Sequence, residues 1–245
     1  MLEITQDLLL GGRVHLSQPA KGHRAGTDAV LLAASAPVKP GDVVMDVGAS
    51  TGAVGLMVAA RERNARYVFV ERDSELAELC RRNCVVNQIE GQVAVADLLE
   101  KASRVTAGLL PESADIVLTN PPFLEEGQAR ISPDKGRAAA HALPAGGLEA
   151  WLRACSGLLK LKGRFVLIHR ADRLAECLAS LNGIGGIELR FVHPDQGRPA
   201  IRFLLSGTKG SRAPLSVLPP VILNGLDGRF TPEAQALHWG EAFLS

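Results

Sequence analysis

Five short apolar runs constrain this chain most: Val43–Val47, Tyr67–Val70, Val93–Val95, Ile116–Leu118 and Phe165–Ile168 recur between helical stretches. Runs this short and continuously apolar suit strands covered on both faces, as in a parallel sheet with helices packed on either side. The intervening helices read as Ala53–Arg61, Glu75–Asn87, Leu148–Leu159 and Arg173–Leu181. Two later runs, Ile187–Val192 and Ile201–Leu205, lie too close around Asp195-Gln196-Gly197 for a crossover helix, so they form an antiparallel pair. The expectation is an α/β fold with a seven-stranded, mostly parallel sheet ending in an antiparallel strand pair. Ahead of it, Leu8–Leu10 and Arg13–Ser17 flank Gly11-Gly12 as a hairpin, and Thr27 caps a helix over Asp28–Ala36 that ends before Pro37. With no repeat, low-complexity tract or linker, residues 1–245 read as one domain in which 1–40 is a hairpin-and-helix extension packed on the core.

Composition removes several classes. No apolar run approaches bilayer length, and Met1–Asp7 begins acidic with no basic region before an apolar stretch, so the expectation is a soluble cytoplasmic protein without membrane contact. The four cysteines are too few and scattered for a disulfide framework and read as reduced core residues. Cys80 and Cys84 share a helical face, but no further ligand cluster completes a metal site, so no metal is expected. A net charge of +1 gives little overall pull on nucleic acid. Any such pull is local, and Arg130, Lys135 and Arg137, followed by His141, are the candidate patch in a long aperiodic stretch, 124–147.

The chemistry gathers where strands end. Asp46-Val47-Gly48-Ala49-Ser50-Thr51-Gly52 turns the first sheet strand into its helix, and its glycines let a ligand approach the backbone at the carboxyl edge. A dinucleotide fingerprint would want glycine at position 50, where serine stands, and would have no need of Asp46 beside a pyrophosphate. Glu71 closes the second strand and can accept from both hydroxyls of a ribose; Asp97 follows the third and can accept from an adenine amino group. The fourth ends in Asn120-Pro121-Pro122-Phe123, a rigid end in which the prolines give up their donors, leaving carbonyls and the Asn120 amide to hold a planar NH2. Phe123 adds a flat face on which a base could lie.

In their order along the chain, Asp46, Gly48, Gly52, Glu71 and Asp97 resemble the S-adenosylmethionine pocket of Rossmann-like class I methyltransferases. In that family an Asn-Pro-Pro-Phe or Asn-Pro-Pro-Tyr motif on the fourth strand marks methylation of a planar nitrogen, and Asn120–Phe123 matches it. Gln18–Leu32 and Asp227–Glu233 are further similar to the N- and C-terminal segments of the bacterial family that methylates N6 of adenine 37 in a valine tRNA. The resemblance implies Asp46, Gly48, Ser50, Gly52, Glu71, Asp97 and Asn120 as cofactor contacts. It makes Asn120, Pro121 and Phe123 catalytic, and gives the substrate tRNA contacts at Pro122, Phe123, Arg130, Lys135 and Arg137, with S-adenosylhomocysteine as product. Protein-glutamine methylation needs the same acceptors and stays the alternative, although its enzymes usually carry a helical N-terminal domain and only about forty residues precede the first sheet strand here. A non-catalytic RNA-binding protein is the other alternative, because the family carries glycine at position 50. With positive φ, the Ser50 side chain costs roughly 1–2 kcal/mol, which weakens cofactor binding if the bound form bears that strain.

Overall fold

A computed structural model describes residues 3–22, 24–122 and 147–244. The chain opens with an antiparallel hairpin, β1 (Ile4–Leu9) and β2 (Val14–Pro19), and a helix, α1 (Thr27–Ala34). Then β3 (Val43–Val47), α2 (Ala53–Arg61), β4 (Arg66–Glu71), α3 (Ser74–Val86) and β5 (Gly91–Val95) lead outward in one direction. After α4 (Lys101–Thr106) the chain returns to the other side of β3 as β6 (Ala114–Thr119). There follow α5 (Gly147–Leu158), β7 (Leu159–Arg170), α6 (Leu174–Ser180), β8 (Ile184–Asp195) and β9 (Arg202–Lys209). Two short strands, β10 (Ser216–Val217) and β11 (Val221–Asn224), and a last helix, α7 (Pro232–Trp239), complete the described residues.

Strands β5, β4, β3, β6 and β7 are mutually parallel, and β9 pairs antiparallel with both β7 and β8. The order reverses between β3 and β6, and such a switch point opens a crevice at the carboxyl ends of the strands. The parallel core and antiparallel pair match the expectation. The strand count does not: nine strands share the sheet rather than seven, because β10 and β11 both run parallel to β8. They are two and four residues long and flank Pro219 and Pro220, which donate nothing to a ladder, so their sequence reads as turn.

Apolar side chains alternate faces along each buried strand. Val44, Ile116, Leu118, Val166 and Ile168 pack on the side that holds α1 and α2, and Val43, Met45, Val47, Val117, Phe165 and Leu167 on the side that holds α5. Both faces are covered, and burying each such side chain contributes roughly 1.5–3 kcal/mol, which fixes strand register and hence the position of each strand end. The hairpin is held by α3: the Asn87 amide bridges His15, and Asn83 accepts from the Ser17 N–H and donates to the Ser17 carbonyl. Thr27 is not the cap of α1. Gly26 stands in that position, and the Thr27 hydroxyl lies 3.2 Å from His238 Nε2 on α7.

Candidate active site

The turn after β3 takes positive φ at Gly48, Ser50 and Gly52 (78°, 50° and 88°). Four of its amides are spent internally. Those of Gly48 and Ala49 donate to the Val70 carbonyl, that of Gly52 to Ala49, and that of Ser50 to Glu71 Oε2 at 2.8 Å. Those four donors are not open to a bound anion. The glycines also answer to packing. A Cβ on Gly52 would come 2.7 Å from Cys80 Sγ, and one on Gly55 2.4 Å from the buried Phe69 ring. Gly48 faces Trp151, whose ring carbon would lie 3.1 Å from such a Cβ.

The three acids stand at the ends of β3, β4 and β5, adjacent strands about 4.8 Å apart. Asp46 is buried beneath the turn and accepts the Gly55 N–H at 2.8 Å. Burial pushes its carboxyl up to about 7 against that hydrogen bond, and the nearby Glu71 charge pushes the same way. Glu71 is buried too, and its oxygens take the amides of Ser50 and Asp73, each at 2.8 Å. Asp97 is half-buried and uses Oδ1 to accept from the Leu99 amide. A carboxylate oxygen has two lone pairs, so both Glu71 and Asp97 keep capacity for hydroxyl or amine donors from a ligand.

Across the switch point, Asn120 follows β6. Its Oδ1 is buried and accepts no hydrogen bond among the described residues. A buried amide oxygen left unmatched costs roughly 1–3 kcal/mol, so an arriving donor would gain by pairing with it. Pro121 is buried and Pro122 half-buried behind it, and neither has an N–H to compete for that donor.

Sequence reasoning missed the residues that tie the two halves together. Thr119 donates to the Val47 carbonyl at 3.0 Å and accepts from Trp151 Nε1 at 2.9 Å, so one indole on α5 touches both the acceptor strand and the Gly48 turn. Asn83 joins the turn to the hairpin through the Thr51 carbonyl. These are single residues with long-range partners, and no periodicity announces them. Arg24 and Asp28, within the N-terminal segment Gln18–Leu32, are each ion-paired: Arg24 with Asp7 at 2.7 Å and Asp28 with Arg202 at 2.8 Å. Phe123, Arg130, Lys135, Arg137 and His141 lie outside the described residues.

The residues present fit S-adenosylmethionine: carboxyl groups at the ends of three successive strands, two of them with acceptor capacity left for hydroxyl or amine donors, a glycine-bearing turn beside them, and an unmatched amide oxygen across the crevice. Fold and site together define an S-adenosylmethionine-dependent class I methyltransferase. The chain belongs to the methyltransferase small domain family, whose model matches residues 24–154. It is 31% identical over 176 residues to the tRNA1(Val) (adenine(37)-N6)-methyltransferase of Porphyromonas gingivalis, covering 69% of this chain and 68% of that protein. To the Aeromonas hydrophila protein of the same name it is 29% identical, over 80% and 81% of the two chains. Among solved structures it is similar to a predicted O-methyltransferase from Agrobacterium tumefaciens, with a TM-score of 0.74 and 32% identity over 89% of this chain and 98% of that one. The Thermus thermophilus 16S rRNA N2 G1207 methyltransferase, solved with AdoMet and guanosine, shares the fold at a TM-score of 0.57 and 21% identity, over 85% of this chain and 51% of its own. Among the described residues no helix is long and apolar enough to cross a membrane, and no group of three or more His, Cys, Asp or Glu side chains gathers as metal ligands.

Proposed function

We propose that this chain transfers a methyl group to N6 of an adenine in tRNA, in the cytoplasm. The observation that carries this reading is the buried, unmatched Oδ1 of Asn120 beside two prolines at the switch point. In the proposal Glu71 and Asp97 hold the ribose and base of S-adenosylmethionine, while Asp46, Gly48, Ser50 and Gly52 shape the turn against it. The cofactor supplies an activated methyl group on a sulfonium.

Adenine N6 is a weak nucleophile because its lone pair is delocalised into the ring. Asn120 Oδ1 and the Pro121 carbonyl, accepting from its two hydrogens, favour a pyramidal nitrogen and stabilise the positive charge that develops on it. Alignment supplies much of the remaining acceleration; as the N–C bond formed the S–C bond would break with its pair going to sulfur, S-adenosylhomocysteine would be the leaving group, and the methylated nitrogen would give its proton to water. Phe123 stacks on the extruded base, Pro122 bounds it, and Arg130, Lys135 and Arg137 contact phosphates. A hydroxyl acceptor, of the kind named for the Agrobacterium relative, needs a base to take its proton, and an asparagine amide is not one. The test is mass spectrometry of nucleosides from bulk tRNA incubated with enzyme and cofactor, in parallel with a translation release factor. N6-methyladenosine is the expected product; label on the protein alone would replace adenine with glutamine as the acceptor.

A further inference from the structure

The segment Asp227–Glu233 has no part in the site described above, yet it places an aromatic ring on the same edge of the sheet. Phe230 follows β11, bridges to Asn224, and is 44% exposed. One face of its ring is covered by the His238 imidazole, with centroids 4.4 Å apart and planes 21° from parallel. That imidazole is fixed from both sides. Its Nδ1 lies 2.8 Å from the Ala234 carbonyl, which can only accept, so Nδ1 donates there, and Nε2 lies 3.2 Å from the Thr27 hydroxyl. The next residue, Asp28, pairs with Arg202 at the start of β9. The two terminal motifs, Gln18–Leu32 and Asp227–Glu233, are thus joined through Thr27 and His238.

Register fixes the edge. Asn224 stands opposite Asp195 at the end of β8, Val192 opposite Arg202, Arg202 opposite Arg170 at the end of β7, and Leu167 opposite Thr119, the neighbour of Asn120. Four strand-to-strand steps separate β6 from β11, and the bridge from Asn224 to Phe230 adds a fifth, roughly 24 Å at about 4.8 Å each. That is about the length of seven stacked nucleotides at about 3.4 Å. The other exposed aromatics among the described residues differ in setting: Arg61 lies over the Phe243 ring at 4.7 Å, and the Trp239 ring backs onto Gly11. Exposed Arg229 precedes Phe230, Asp227 and Glu233 lie within three residues of it in the chain, and Arg198, just past the end of the neighbouring β8, is paired with Asp195 at 2.8 Å, so the surface is not strongly basic.

We infer that the outer face of Phe230, backed by His238, is a stacking platform for an unpaired base of the RNA substrate, several nucleotides away from the methylated adenine. The inference rests on the RNA reading of the active site. Stacking is tolerant of base identity and does not depend on charge, which suits a ring flanked by both signs. Fluorescence anisotropy with a labelled RNA stem-loop, in the presence of S-adenosylhomocysteine, tests it alongside methyl transfer to tRNA. Phe230→Ala should weaken RNA binding and raise KM for tRNA roughly ten- to hundredfold, leaving kcat, cofactor KM and the salt slope of binding unchanged. Phe230→Trp should bind as wild type does, while Phe230→Leu, which keeps an apolar contact on His238 without a flat face, should behave as the alanine variant. Binding by Phe230→Ala within twofold of wild type overturns the platform, as does a wild type that binds no RNA. Weakened RNA binding by a protein that methylates no RNA keeps the platform and overturns the adenine acceptor instead.

Discussion

The two sides of the crevice differ in how far the fold has already satisfied them. On the donor side the turn amides and carboxylates bond to one another: Ser50 to Glu71, Asp73 to Glu71, Gly55 to Asp46, Leu99 to Asp97. On the acceptor side Asn120 Oδ1 is buried without a partner among the described residues. A satisfied network holds its shape at little cost, whereas an unmatched oxygen stores free energy that an incoming N–H recovers. In the proposed reading, the cofactor half is therefore built for position and the Asn120 half for exchange of partners.

Asp46 carries the largest effect that tests this contrast, because it is the donor-side acid most removed from water. In the fold it keeps its proton up to about pH 7, whereas in the unfolded chain it loses it near 3.8. Between those values the folded chain binds more protons, so this group's contribution is fully present below 3.8 and is lost as pH rises through about 7. The shift is worth on the order of 4 kcal/mol across the window at about 1.4 kcal/mol per pKa unit. Urea unfolding from pH 4 to 8 should show that decline, and Asp46→Asn should flatten it. A variant with the wild-type slope would put the proton elsewhere.

The acceptor half comes next. Asn120→Ala should cut turnover roughly 10²–10³-fold, about 3–4 kcal/mol, with cofactor affinity little changed. Removing a buried oxygen that has no protein partner should leave thermal stability at or slightly above wild type. A large drop in melting temperature would mean that Asn120 supports the fold rather than the reaction, and the contrast between the halves would collapse.

Much of the donor half was legible from sequence because it depends on strand ends, and strand ends follow from apolar runs. Helix α2 begins and ends at the expected residues because Gly52 enters it in a left-handed conformation and Glu62 leaves it extended. Other features depend on partners far along the chain. Thr27 had the chemistry of a cap, but its hydroxyl chose His238, 211 positions away. In sequence the glycines of the turn read as room for a ligand; Gly52 and Gly55 also make room for Cys80 and Phe69, a use that needs the third dimension to be seen. Thr119 and Trp151, which link the halves, each look like ordinary core residues in one dimension.

That link supplies a smaller test. Trp151→Phe removes the hydrogen bond to Thr119 and part of the surface beneath Gly48, while Thr119 keeps its bond to Val47. The loss should be about 1–2 kcal/mol in thermal or urea unfolding, the sum of one buried hydrogen bond and a modest packing defect. If the indole also aligns the two halves, kcat should fall while cofactor KM stays near wild type; a change confined to stability would make Trp151 a core residue only.

The smallest effect belongs to Ser50, where a side chain occupies a φ of 50° that favours glycine. The turn's own hydrogen bonds impose that conformation, through the Ser50 amide to Glu71 and the neighbouring amides to Val70 and Ala49. The strain therefore belongs to folding. A left-handed residue costs about 1–2 kcal/mol, and glycine returns roughly 0.5–1 kcal/mol of that through the greater freedom of the unfolded chain. Ser50→Gly should raise stability by no more than about 1 kcal/mol, with calorimetric affinity for S-adenosylmethionine unchanged. Tighter binding at unchanged stability would show instead that the turn takes up its strain on binding, and the donor half would then be no more finished than the acceptor half it faces.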